Sequence, residues 1–244
     1  MSEDDSLPSA PLCALVPDEE WARLARYPEQ TYLAGRTLLR QGDPGTHVLA
    51  LMEGLVKVVR TEPDGRQRVL SFRGRGEILG EMALQPSSVR MADVRALRKS
   101  RACIVPAQDF HRFVQENKLA RPIFELAWNR MREQVELCEG AVHERLALAL
   151  LRLVAAAGGG KPCFSLTREE LAQHIDVGRK AVSKALERLG PDCVRVGNRR
   201  IEVVSVAGLR KAAGGHVGAD TSVGDVAHVT PYQVPRNGTA PRPL

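Results

Sequence analysis

The chain has 244 residues, 43% of them hydrophobic, with a formal net charge of +6 and a sequence pI of about 9.3, and this length suits one or two domains with adequate cores. Its five cysteines are widely spaced and form no CxxC or Cys/His pattern, which argues against a disulfide framework or a metal site and suits a reducing compartment. No signal-peptide pattern and no apolar run as long as a membrane span is present, so we expect a cytoplasmic protein without a membrane partner.

Residues 31–108, which follow an N-terminal segment of residues 1–30, are predicted to form a β-sandwich or jelly roll. Glycines separate short runs of residues, and several of these runs alternate apolar with polar side chains. Short strands with regular turn signals are typical of this architecture. Asp64-Gly65 lies between two such runs and predicts a hairpin turn.

Residues 109–140 are predicted to form one long helix that pairs with a copy of itself. Apolar residues recur at steps of 4, 3, 4, 3 and 4, which is the a/d spacing of a helix that dimerises. These residues are Phe124, Trp128, Met131, Val135, Cys138 and Val142. The alternative is a helix that packs only on its own domain.

Residues 141–212 are predicted to contain a helix-turn-helix. Thr167 and Glu170 form a capping-box pattern at the start of one helix. A break at residues 176–178 separates it from a second helix, whose apolar inner face consists of Val182, Ala185, Leu186 and Leu189. Its outer face, which we call the reading face, carries Arg179, Lys180, Ser183 and Lys184. A basic helix of this kind fits the major groove of DNA, whereas the alternative is a solvated face of an ordinary helical bundle.

A wing follows the second helix. The segment VRVGNRRIEVV predicts a hairpin that turns at Gly197-Asn198 and places Arg199 and Arg200 near phosphates or a minor groove. With Thr167, Arg168 and the reading face, these arginines complete the predicted DNA-contacting set. Residues 213–244 lack apolar periodicity and are predicted to be a disordered tail.

The order of jelly roll, long helix and winged helix resembles the cyclic-AMP receptor protein / fumarate-nitrate regulator (Crp/Fnr) family of bacterial transcription factors. The most specific residues are GEILGEMAL at 76–84, Arg90, and ADVRAL at 92–97. The resemblance implies an α+β fold with a cyclic-nucleotide-binding-like jelly roll, a dimerisation helix and a C-terminal winged helix-turn-helix. It also implies a phosphate-binding cassette formed by Gly80, Glu81, Met82, Ala83 and Arg90, with Glu81 toward a ribose and Arg90 toward a phosphate.

Three residues depart from the family pattern. Met91 stands where the family usually has a phosphate-binding Ser or Thr, and Arg130, followed by Met131, stands where cyclic-AMP-responsive members carry a purine-contacting Thr-Ser pair. Lys180 stands where well-known members carry an acidic residue, and it can only donate hydrogen bonds. Glu81 and Arg90 could also form a structural ion pair in a regulator that binds no ligand.

The function that follows is a homodimeric, sequence-specific DNA-binding transcription regulator controlled by a small anionic ligand. The resemblance implies a cyclic nucleotide or a cyclic dinucleotide as effector, double-stranded DNA with a near-palindromic operator as partner, and RNA polymerase as a further partner. No catalytic motif is found, so we expect no enzyme activity and no catalytic or metal-binding residue. Two alternatives stay open, a constitutive DNA-binding regulator and a nucleotide-binding regulatory subunit of an enzyme.

Overall fold

The computed structural model describes residues 11–85, 87–158 and 162–214. The predicted disordered tail, apart from its first two residues, lies outside these residues. A short 3₁₀ helix (Leu12–Ala14) and helix α1 (Asp18–Leu24) precede the first strand. Pro17 precedes α1, and the acidic residues in the first turn of this helix favour its positive N-terminal dipole. Leu12 and Leu24 are buried, so this segment belongs to the core of the N-terminal domain.

The N-terminal domain is a β-roll of two four-stranded antiparallel sheets, as the sequence predicted. One sheet has the order β1-β8-β3-β6 and the other β2-β7-β4-β5. Strand β3 is buried along its centre because β8 flanks it while α2 covers it. The strands are β1 (Glu29–Tyr32), β2 (Thr37–Leu39), β3 (His47–Glu53), β4 (Leu55–Thr61), β5 (Gln67–Gly74), β6 (Ile78–Leu79), β7 (Asp93–Ala96) and β8 (Ser100–Pro106).

The long helix predicted over residues 109–140 is wrong in its continuity. The structure has α2 (Ala107–Glu116) and α3 (Ala120–Glu136), separated by residues 117–119. Lys118 has a φ of 53°, in the left-handed region, and this interrupts the helix. Phe110 and Phe113 anchor α2 in the core of the β-roll domain.

The C-terminal domain is a winged helix-turn-helix. It contains α4 (Val142–Ala156), β9 (Cys163–Phe164), α5 (Arg168–His174), α6 (Arg179–Leu189), β10 (Val194–Gly197), β11 (Arg200–Val203) and α7 (Val206–Ala213). Its three strands have the order β10-β11-β9. The helix α7 was not predicted from the sequence. Its N-cap is Ser205, whose hydroxyl accepts a hydrogen bond from the Gly208 N–H at 3.0 Å.

The turn of the wing lies one residue later than predicted. Gly197 pairs with Arg200 in the β10–β11 ladder, so the two turn residues are Asn198 and Arg199. Arg199 has a φ of 51°. Arg199 therefore lies at the tip of the hairpin and not at the start of its second strand, which begins at Arg200.

Within the described residues, none of the helices has both the length and the apolar character that crossing a membrane requires.

Candidate functional site

A cavity of about 420 Å³ opens in the β-roll beneath α3. Its walls come from β5, β6, a 3₁₀ helix (Glu81–Ala83), residues 90–94 and one face of α3. The structure brings all seven predicted ligand-binding residues to this one cavity: Gly80, Glu81, Met82, Ala83, Arg90, Met91 and Arg130.

Gly80 is required by the local geometry of the cavity. Its φ is 89°, a conformation that L side chains rarely adopt, and it forms the N-cap of the 3₁₀ helix. A Cβ at this position would lie 2.3 Å from a terminal nitrogen of Arg90. The missing side chain therefore leaves the space in which the Arg90 guanidinium lies.

Arg90 is a buried cation at one end of the cavity, with only 3% of its surface exposed. Its two terminal nitrogens donate to the carbonyl oxygens of Gly80 and His47. Burial lowers the pKa of Arg90, and burial together with the nearby Arg90 charge lowers the pKa of His47. None of the ion pairs formed by the described residues includes Arg90, so the suggested structural pair between Arg90 and Glu81 is wrong.

Glu81 is instead paired with Arg130 of α3. The same guanidinium lies 2.8 Å from a carboxylate oxygen of Glu77, a residue that the sequence analysis did not assign to the site. Burial opposes the charged form of Arg130, but the coulombic and hydrogen-bonding contributions of Glu81 and Glu77 outweigh it and raise the pKa of Arg130. The position of Glu77, inside the run GEILGEMAL, was the available signal.

Three methionines lie around the cavity, Met82, Met91 and Met131, and each is at least half exposed. Met131 also belongs to an exposed apolar stripe on α3, which we call the seam. The four members of the seam, each more than half exposed in the single chain, are Phe124, Trp128, Met131 and Val135. The cavity therefore reaches the same face of α3 that is apolar and uncovered.

The apolar stripe that the sequence predicted does not continue past the seam to Cys138 and Val142. Cys138 is exposed but follows the end of α3, and Val142 begins α4 and packs against the core of the C-terminal domain. The heptad spacing therefore continues in the sequence beyond Glu136, but the helix that would carry it ends there.

The helix-turn-helix begins with the predicted capping box. The Thr167 hydroxyl accepts from the Glu170 N–H at 3.1 Å, and a Glu170 carboxylate oxygen accepts from the Thr167 N–H at 2.8 Å. The four predicted inner-face residues of α6 are all buried. Gly178 occupies the N-cap of α6 and offers no side-chain hydrogen bond, so the first turn of this helix keeps free N–H groups.

The reading face points outward. Arg179, Lys180 and Lys184 are exposed and Ser183 is half-buried. A groove of about 270 Å³ between the start of α5, the start of α6 and the wing is lined by Arg168, Arg179 and Arg199, and Thr167 also lines it. Arg200 is exposed beside the groove, 3.5 Å from Glu202. The structure thus brings Thr167, Arg168, Arg179 and Arg199 together around one groove and leaves Lys180, Lys184 and Arg200 exposed.

The helix α5 docks on the β-roll of the same chain, a contact that the sequence did not reveal. Lys57 of β4 forms an ion pair with Glu170. The ring of His174 hydrogen-bonds through Nδ1 to the Val69 carbonyl oxygen at 2.8 Å and meets the ring of Phe72 edge-on at 4.8 Å. Burial lowers the pKa of His174 to about 4, so the ring is neutral at pH 7 and Nδ1 is the donor.

Strand β5 contributes both to the cavity and to the contact between α5 and the β-roll. Leu70 and Ser71 line the cavity, and the neighbouring Val69 and Phe72 contact His174. At the end of the same strand, a Cβ on Gly74 would lie 1.6 Å from the Ala156 carbonyl oxygen of α4. One strand therefore separates the cavity from the C-terminal domain.

Two family models match the chain. A cyclic nucleotide-binding domain matches residues 29–117, and a Crp-like helix-turn-helix domain matches residues 144–212. The chain is 30% identical over 207 residues to the cyclic AMP receptor protein of Thermus thermophilus, covering 82% of this chain and 95% of that protein. It is 26% identical over 162 residues to a CRP-like cAMP-activated global transcriptional regulator of Mycobacterium tuberculosis, covering 62% of this chain and 72% of that protein.

Solved structures show the same fold. A CRP-family transcriptional regulator from Thermus thermophilus has a TM-score of 0.63 at 24% identity, covering 76% of this chain and 96% of that chain.

Proposed function

Because the chain belongs to the Crp/Fnr family of DNA-binding transcription regulators, we propose that it acts as a homodimer on a near-palindromic operator under the control of a small anionic effector. The observation that carries the proposal is the reading face, which is basic and exposed above a buried inner face of α6. A major groove admits one helix, and exposed donors on that helix reach base edges.

The reading face and the wing have different roles in this proposal. Arg179, Lys180 and Lys184 read base edges, and Ser183 supplements them. Thr167, Arg168, Arg199 and Arg200 contact phosphates or a minor groove, where little sequence information is available. Lys180 donates hydrogen bonds to a guanine edge or to a phosphate, because an ammonium group has three donors and no acceptor.

The seam supports the homodimer. Four large apolar side chains on one face of α3 are exposed in the single chain, and a contiguous apolar patch of this kind marks an interface. Its spacing of 4, 3 and 4 residues matches the packing of a helix against a copy of itself. A twofold axis along α3 would place the two reading faces about one DNA turn apart, roughly 34 Å.

The cavity supports control by a small molecule. Its volume lies in the range that small ligands occupy in proteins. Arg90 offers a buried positive charge to an anionic group, and a cyclic nucleotide or cyclic dinucleotide is the effector class that the family implies. Both named relatives are described by the effector cyclic AMP.

The remaining parts of the proposal follow from DNA binding. The protein works in the cytoplasm, where a bacterial operator lies, contacts RNA polymerase there, and has no catalytic activity of its own. A constitutive regulator is the second candidate, since Glu81, the carboxylate that the family directs toward a ribose, is paired with Arg130.

The test is selection of bound duplexes from random DNA, followed by fluorescence anisotropy on the selected sequence. We expect an inverted repeat, two chains per duplex and a steep salt dependence. Equal affinity for the selected and a scrambled duplex would contradict the proposal. An effector-free protein with full operator affinity would favour the constitutive regulator.

A further inference from the structure

We propose that the β-roll cavity binds an anion with an apolar body, such as an aromatic or medium-chain acyl carboxylate, in preference to a cyclic nucleotide. This inference rests on the proposed function, because it names the ligand class of the same cavity. Three features of the cavity carry it.

The first feature is that none of the ion pairs formed by the described residues includes Arg90. A guanidinium has five N–H donors, and the carbonyl oxygens of Gly80 and His47 accept from only two of its nitrogens. Burial lowers the pKa of Arg90 although the charges of Glu81 and Asp43 oppose this shift, and an anionic ligand group would supply the direct charge contact. Among the described residues that line the cavity, the other arginines, Arg73 and Arg130, are paired with carboxylates, so the ligand needs one anionic group at one end.

The second feature is the engagement of the carboxylate that the family uses for a ribose hydroxyl. This carboxylate is Glu81, and one of its oxygens accepts a hydrogen bond from Arg130. One oxygen of Glu77 accepts from the same guanidinium, so Arg130 and the two carboxylates form one cluster of ion pairs. A sugar hydroxyl must share Glu81 with Arg130, whereas an apolar ligand body leaves this cluster unchanged.

The third feature is the apolar wall. Eleven of the eighteen lining residues are apolar, and Met91 replaces the hydroxyl that would assist a phosphate. The side-chain amide of Gln134 already donates to the Leu70 carbonyl oxygen. The polar edge of a purine would lose water against this mostly apolar wall, whereas methionines adapt readily to an aromatic ring or an acyl chain.

The test compares matched ligand pairs that differ only in charge. Binding of 4-phenylbutyrate and octanoate to the full chain is measured by calorimetry beside 4-phenylbutanol and octanol, with cyclic AMP and cyclic GMP as the third arm. We expect each acid to bind at least about tenfold more tightly than its alcohol, since a charge-assisted contact to Arg90 is lost in the alcohol. We expect both cyclic nucleotides to bind more weakly than the acids.

Two variants locate the binding site. Arg90→Gln should remove the preference for acid over alcohol, while Arg40→Gln, which changes an exposed arginine outside the cavity, should keep it. Met91→Ser changes a half-exposed residue and so preserves the fold, and it should weaken both acids, whereas Met91→Leu should not.

Three results would overturn the inference: tighter binding of a cyclic nucleotide than of both acids, no difference between acid and alcohol, or no binding of either acid. Operator binding is measured on the same preparations. The absence of operator binding would contradict the proposed function. Operator binding together with any of these three results would contradict the ligand class alone.

Discussion

Lowering the pH should weaken the contact between α5 and the β-roll, because this contact contains one buried histidine, His174. His174 is fully enclosed and faces Phe72 and the Val69 carbonyl oxygen, with Arg73 and Arg152 as the nearby charges. Its pKa is about 4 in the folded chain against an ordinary 6.5. Because the unfolded chain binds a proton at a higher pH than the folded chain, stability falls as the pH falls through this window.

The size of the effect follows from the two pKa values. Stability is unaffected above about pH 6.5 and falls as the pH drops from about 6.5 to 4, and the total loss of stability is about 3 kcal/mol at the acid end. Urea unfolding at pH 7 and at pH 4.5 measures it. His174→Gln, which keeps a neutral donor for the Val69 carbonyl, should reduce the loss by about 2–3 kcal/mol relative to the parent chain.

The control is His111→Gln, which changes an exposed histidine on α2 and should leave the pH dependence unchanged. The same acid-induced loss in the parent chain and in His174→Gln would refute the argument, because carboxylates elsewhere would then account for all of it.

Three further substitutions test the site. In the proposed homodimer, Val135→Glu sets like charges across the seam, so the variant should sediment as a monomer at micromolar concentration; a dimer that persists would show that the seam is wrong. Gly80→Ala should lower stability by about 1 kcal/mol or more beyond Gly65→Ala in urea unfolding, because both positions have a positive φ but only Gly80 is crowded, by Arg90. Lys180→Glu should shift operator preference toward cytosine at one symmetric pair of positions by about 1–3 kcal/mol in competition binding, and a uniform loss on all sequences would contradict its place in the groove.

Local sequence signals were sufficient for the helix-turn-helix and for the strand-rich architecture of the β-roll, but not for α7 or for the exact turn of the wing. The capping box at Thr167 and Glu170 is made by residues three apart, so the sequence contains everything that forms it. The inner face of α6 followed from its helical period in the same way. The fold was predictable where short-range chemistry determines the backbone.

Other features depend on tertiary contacts. The break near Lys118 had a sequence signal in Pro122, which lies in the first turn of α3, where Pro is tolerated, and disfavours one continuous helix through this point. The heptad spacing ran on to Val142 by coincidence. The ion pairs of Arg130 arise only because α3 packs over residues 77–81. Lys57 and Glu170 are 113 residues apart in sequence and meet only in the folded chain.

The central claim is that two copies of this chain read DNA through α6. Hydroxyl-radical footprinting on an operator selected from random DNA tests it most directly. The account predicts two protected half-sites related by a twofold axis and centred about one helical turn apart, roughly 34 Å, with Arg179→Ala removing the protection at both. A single asymmetric footprint, or protection that Arg179→Ala leaves unchanged, would contradict it.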